Sequence, residues 1–228
     1  MAVDRSEAPR RTARRPRYRK VARPVREQQI LEVAGRMFAT RGYQATSMEE
    51  IADGVGVSKP MLYRYFGSKD GLYLAYIRGA GVGLLESMRR AASETLPPEE
   101  RLWAGIVAFF GFVDERREGW SVLYREAATQ GGPFADEVAR LRVEIARIVA
   151  RLLVEAAPPG SEPGGPAGLE PLSHALVGAG ESLANWWLAH PDERRDVMAS
   201  RLMSFLSLGL DDLIAGKTWT PASRRDVG

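Results

Sequence analysis

Along almost the whole chain apolar residues recur every three or four positions, the spacing of one face of an α-helix, and the pattern yields helices and very little else. Pro24 to Thr40 reads as the first, with Ile30, Val33, Ala34, Met37 and Phe38 on one face and Gly42 as its stop. Ser47 can cap a second helix while Glu50, three residues on, returns a bond to the Ser47 amide, a capping box. Met48, Ile51, Ala52 and Val55 then share a face, and Gly54 and Gly56 interrupt the helix where an open or left-handed backbone is needed. Ser58 is placed to cap a third helix of about Lys59 to Phe66, with Pro60 in its first turn, where the missing amide proton costs little. Leu62 and Phe66 lie four apart and face inward, which leaves Lys59, Pro60, Met61, Tyr63, Arg64 and Tyr65 around the remaining surface.

The same period continues to near the end. Ser68 can cap a fourth helix from Lys69 to about Ser93, with Gly79, Gly81 and Gly83 in its middle, each costing about 0.5 to 1 kcal/mol relative to Ala. Such a run serves either the close approach of another helix or a bend. Glu99 to Glu118 carries Leu102, Trp103, Ile106, Phe109, Phe110 and Val113, and Trp120 to Thr129 is a shorter helix. Gly131, Gly132 and Pro133 precede a long one from Phe134 to about Ala156. Residues 158–168, rich in Pro and Gly, form a mobile loop by composition. Leu169 to Ala189 and Glu193 to Ala215 are the last two helices.

Two short helices joined by a Gly-containing turn, the second presenting two tyrosines and an arginine, describe a helix-turn-helix between Ala45 and Leu74. Phenol and guanidinium groups donate to phosphate oxygens, and Arg can also bond guanine bidentately, so the exposed side of the second helix suits DNA. The stretches ILEVAGRMFATRGY, IADGVGVS and LYRYFGSKDGLY, with Thr46 and Ser47 before the second helix, resemble the N-terminal domain of the TetR/AcrR family of bacterial transcriptional regulators. The resemblance is tight over about fifty residues, Arg26 to Leu74, and loose beyond them. It implies an all-α chain: an N-terminal three-helix helix-turn-helix domain (24–70) and a C-terminal helical ligand-binding and dimerisation domain (71–217), between a basic arm (1–23) and a tail (218–228).

Placed in a major groove, that motif sets Lys59, Pro60, Met61 and Arg64 nearest the bases, while Thr46, Tyr63, Tyr65 and Lys69 hold phosphates and Ser47 and Ser58 stand at the two helix starts. Lys69 follows the Ser68 cap at a positive helix end, where a phosphate is welcome. The resemblance further implies a homodimer through the last two long helices, and between the body helices a pocket for a small, largely apolar effector. Trp103, Phe110, Trp120, Tyr124, His174 and Trp186 are the candidates for its wall, with Phe109, Trp187, Met88, Asn185 and Glu181 as neighbours; any one aromatic at helical spacing also reads as core.

Composition narrows the classes. At 228 residues with 45% hydrophobic positions the chain can bury a sizeable core. It has no cysteine, which excludes disulfides and thiolate chemistry and fits a reducing cytoplasm. No apolar run approaches the roughly 20 residues of a membrane span. Two distant histidines, His174 and His190, and the lack of a phosphate loop or metal-ligand spacing argue against an enzyme, a metal or a cofactor. The net charge of +3 hides an asymmetry: residues 1–23 hold nine Arg or Lys against Asp4 and Glu7, so the arm is +7 and the remainder −4. Apolar-poor and basic, the arm is expected to be disordered when free; it is either a solvated extension or a strand of positive charge, Arg14, Arg15 and Arg17 within it, that follows the DNA backbone.

The expected function is therefore a dimeric, ligand-responsive transcriptional regulator on a double-stranded operator, a repressor released by its effector. The rival readings are a nucleoid-type DNA-binding protein without effector and a helical small-molecule enzyme or carrier.

Overall fold

In the computed structural model residues 22–126, 130–156 and 166–214 are described. Nine α-helices follow one another among them, and no strand is present among the described residues. α1 (Arg23–Ala45), α2 (Met48–Val55) and α3 (Lys59–Phe66) make the head; α4 (Lys69–Ala91) leads into the body of α5 (Pro98–Glu115), α6 (Arg117–Ser121), α7 (Gly132–Ala156), α8 (Pro166–Leu188) and α9 (Arg195–Ile214). A π-helical turn, Val122–Glu126, prolongs α6 where a regular helix is expected from Trp120 to Thr129; residues 127–129 of that stretch lie outside the described residues. The basic arm up to residue 21, the 158–168 loop up to residue 165 and the tail lie outside the described residues, while Arg23, counted in the arm, opens α1.

Local chemistry accounts for the head's boundaries. Gly42, at φ 83°, breaks α1 near its end, and Gly56, at φ 72°, closes α2 in the left-handed region that a side chain disfavours. The Ser47 capping box is complete: the Ser47 hydroxyl accepts from the Glu50 amide at 3.2 Å, and the Glu50 carboxylate accepts from the Ser47 amide at 2.9 Å. The Ser47 hydroxyl also donates to the Glu50 carboxylate at 2.8 Å, and this bond, followed by that of the Ser47 amide, holds the Glu50 carboxyl below the usual carboxylate range. Ser68 caps α4 through the Gly71 amide at 3.0 Å. Ser58 departs from expectation, since its side chain makes no cap bond and α3 starts on Pro60 and backbone bonds alone.

Two apolar cores result. One belongs to the head but reaches into the body: Ile30, Phe38, Ile51, Leu62, Leu72 and Tyr73 pack with Val122, Leu123, Phe134 and Val138. Tyr73 meets Phe38 and Phe134 edge-on at ring distances of 4.9 Å, a favoured aromatic geometry. The other fills the body, with Phe110, Val113, Trp120, Leu153 and Met198 at its centre and α7 lying along α8. α4 touches both, running unbroken between head and body. Of its three glycines, Gly81 marks a close approach: an added Cβ would meet Leu141 of α7 at 3.2 Å, whereas Gly79 faces open space.

Candidate functional site

The exposed side of α3 carries Ser58, Lys59, Pro60, Tyr63 and Arg64. Lys59 lies 3.5 Å from Glu49 of α2, an exposed pair that water and salt screen, so the ammonium can exchange Glu49 for another anion. Met61 is half-buried, and so is Tyr65, which packs on the head core with the Arg23 guanidinium 5.4 Å from its ring centre. Lys69 is held at the start of α4, its ammonium donating to the Gln44 carbonyl at 3.3 Å and standing 4.4 Å over the Tyr43 ring. Tyr43 in turn donates to Asp70, and burial together with that carboxylate pushes its phenol well above the usual range.

Thr46 does not fit a phosphate-holding role. It is 1% exposed, and its hydroxyl is turned inward, toward the Gly42 carbonyl at 2.8 Å and the Met37 carbonyl at 3.3 Å. The break at Gly42 leaves the last carbonyls of α1 without helical partners, and the Thr46 hydroxyl supplies one. Arg14, Arg15 and Arg17 lie outside the described residues.

In the body, an apolar cavity of about 60 Å³ lies between the C-terminal part of α4, α5, α7, α8 and α9. Met88, Leu102, Ile106, Phe109, Ile145 and Leu176 are among its walls, and among the described residues Glu181 is the one ionisable group lining it besides the Tyr124 phenol. Of the six aromatic and histidine candidates, the cavity claims only Tyr124. Phe110 and Trp120 are buried in the body core, Trp103 and Trp186 are 37% and 42% exposed, and His174 faces outward. Trp186 instead stacks on His190 at 3.9 Å between ring centres. The lining is mainly aliphatic because the inward stripe of each helix is Leu, Ile and Val, with the large rings filling volume behind it. Met88 and Glu181, expected as neighbours, do line it.

The polar end of the cavity is organised. Glu181 accepts from Arg142 Nε at 3.0 Å, the Arg142 guanidinium stands 5.1 Å from the Tyr124 ring centre, and Tyr124 stacks on Trp120 at 3.9 Å. Trp120 is fixed by its indole N–H, which donates to the Asn185 side-chain oxygen at 2.9 Å. Burial pushes the Glu181 carboxyl up to about 7, against which Arg142 supplies the positive partner that the charged form needs. Arg142 escapes a reading of the sequence because nothing in the spacing of α7 marks one of its several arginines as facing an acid on α8.

A second hollow, of about 470 Å³, separates head from body, bounded by Gln28, Glu32 and Arg36 of α1, Tyr76 and Gly79 of α4 and the 114–119 corner. Tyr76 is wedged beside it: a Cβ on Gly35 would overlap its ring, and one on Gly119 would fall 3.2 Å from its hydroxyl.

This arrangement of capped head and hollow body has close counterparts. Residues 30–76 match the family model described as "Bacterial regulatory proteins, tetR family", and residues 98–209 match "Tetracyclin repressor-like, C-terminal domain". Over 122 residues the chain is 38% identical to the HTH-type transcriptional activator FasR of Mycolicibacterium smegmatis, covering 51% of this chain and 56% of that protein. Over 103 residues it is 35% identical to the HTH-type transcriptional repressor KstR2 of Mycobacterium tuberculosis, covering 45% and 51%. The matches thus span about half the length of these curated relatives. A crystal structure of a TetR-like transcriptional regulator from Rhodococcus sp. superposes with a TM-score of 0.71 at 37% identity, covering 84% of this chain and 99% of the other. With both halves of the chain matched and a solved relative aligned over nearly its full length, the protein belongs to the TetR family of bacterial regulatory proteins.

Proposed function

We propose that this chain is a dimeric DNA-binding transcriptional regulator whose body cavity takes a small apolar effector, and that effector binding releases it from its operator. The observation that carries the DNA half is α3, a short helix presenting Tyr63 and Arg64 to solvent without an ion pair between them and the protein among the described residues. Arg64 is suited to base edges and Tyr63 to a phosphate, with Lys59, Pro60, Ser47 and Ser58 around them. Repression is the proposed direction; one relative above is named an activator and the other a repressor.

A twofold pair reads two half-sites roughly 34 Å or a multiple apart. Phe205 and Leu208 on α9, 67% and 85% exposed, support pairing through α8 and α9, as does the uncharged outward stripe of α8 at Pro171, His174, Ala175, Gly178, Ser182 and Trp186. The effector half rests on α4. Its Met88 lines the cavity while its first turn holds the head, so walls that part around a ligand push on the element that sets the head's angle. They must part, because a drug-sized ligand needs roughly 300 Å³ or more. The hollow beside Tyr76 gives the head room to tilt.

The test is selection of bound sequences from a random duplex pool, followed by binding of the selected site at fixed salt. Arg64→Ala should lose affinity and relax the preference at one base position, by about 1 to 3 kcal/mol. Tyr63→Phe should weaken all sequences alike. Recovery of no palindromic site, or selected sites indifferent to Arg64, would overturn the reading. Removing residues 1–21 should shallow the log-log salt slope by about 0.9 for each phosphate the arm neutralises; an unchanged slope means the arm does not touch DNA.

A further inference from the structure

The polar end of the body cavity is built as a cation holder. Its fixed parts are a carboxylate, Glu181, whose side chain is 12% exposed, and the face of Tyr124, immobilised by its stack on Trp120. Its occupant is the Arg142 guanidinium, 40% exposed, on a stem of rotatable methylenes. Carboxylate and ring face are both groups that attract positive charge, and here they converge on one. The occupant is held from the solvent side, so it can swing into water, whereas Glu181 cannot follow it.

Resting on the reading of this cavity as the effector site, we propose that the effector is an aliphatic chain ending in a cationic head, of the alkylammonium or alkylguanidinium type, which takes the place of Arg142 between Glu181 and Tyr124. Each alternative head fares worse by the same physics. An anionic head would draw Arg142 to itself and leave the buried Glu181 carboxylate without its partner, the costly way to break a buried pair. An uncharged head leaves the pair intact and gains nothing from it. A cation keeps Glu181 paired, keeps the ring face covered and releases Arg142 to water. The walls beyond this point, Ile106, Ile145, Ile148, Val149 and Leu152 among them, offer only dispersion and area, which a methylene chain uses fully. Arg142 then acts as a built-in competitor that sets the threshold for the effector.

Dodecylamine, dodecanol and dodecanoate, each below its micellar concentration, separate these cases when titrated into the full-length protein at about pH 8.5, where Glu181 is a carboxylate and the amine is still a cation, with calorimetry and tryptophan fluorescence. The amine should bind roughly tenfold more tightly than the alcohol, and the carboxylate most weakly. Glu181→Gln should bring the ratio of amine to alcohol affinity to about one. Arg142→Gln should raise amine affinity several-fold more than alcohol affinity, an effect opposite in sign to what loss of a structural ion pair would give. Dodecanoate binding most tightly, or an amine-to-alcohol ratio unmoved by Glu181→Gln, overturns the head-group proposal while leaving the cavity as an effector site. Binding of none of the three overturns both.

Discussion

The head and the body each place a glutamate against a hydrogen-bond donor, and the two glutamates behave in opposite ways. Glu50, on the surface of α2, closes a capping box with Ser47 three residues away, and its carboxyl is held below the usual range. Glu181, inside the body, meets Arg142 from a different helix, and burial drives its carboxyl up to about 7. One charge is stabilised by local backbone geometry in water; the other is confined by packing in a place that resists charge. The same division runs through the molecule. The ends of the head helices are set by short-range devices that any solvent-facing helix can use, whereas the polar groups of the body are paired by contacts between helices far apart in sequence.

The largest effect should come where the two regions touch. Gly35→Ala places a Cβ inside the space of the Tyr76 ring, which must then shift toward the hollow it borders, and should cost about 1 to 3 kcal/mol. Chemical denaturation reads it directly, and a wild-type midpoint would mean that Tyr76 moves freely and that head and body are not locked there. The interior glutamate should come next. The folded protein keeps the Glu181 proton up to about pH 7 while the unfolded chain loses it near 4.5, so this group destabilises the fold as pH rises through that window. Glu181→Gln should therefore raise the melting temperature at pH 8, and the gap should close below about pH 4.5. A melting temperature at pH 8 below that of the parent would show that the ion pair with Arg142 outweighs burial.

Smaller effects test the head. Ser47→Ala removes a cap and should cost about 1 kcal/mol, whereas Ser58→Ala, with no cap bond to lose, should fall within about 0.5 kcal/mol of the parent. Equal losses at the two serines would undo the distinction between them. Gly79→Ala, which meets nothing within 4 Å, should stabilise α4 by about 0.5 to 1 kcal/mol, seen as a small rise in melting temperature. A loss instead would show that α4 needs softness at that turn.

How legible each region is in the sequence follows from the same contrast. The α2 capping box, the α3 bounds and the Ser68 cap can be read from residues three or four apart, because capping and turn chemistry act over that range. Thr46 is the exception within the head itself. Its hydroxyl reaches back four and nine residues, to the Gly42 and Met37 carbonyls, and its burial is visible only once α1 and α2 have packed together. In the body, periodicity locates the helices to within a few residues but not which side of each faces the cavity. The conspicuous rings Trp103, Trp120 and Trp186 are exposed or core, and plain aliphatic positions form the wall.

Sequence alone determined the helical period, the Ser47 and Ser68 caps, the glycine breaks of the head, the family of the motif and the asymmetry of charge. All of these depend on neighbours along the chain or on totals over it. Tertiary structure decided which acid meets which base, that Glu181 is buried where its charge is disfavoured, that Tyr76 needs glycine on two other helices, and that the cavity is aliphatic and narrow. Those properties depend on distances between segments remote along the chain, 39 residues for Arg142 and Glu181 and 65 for Trp120 and Asn185. A helical pattern fixes which face is apolar without fixing what stands opposite it.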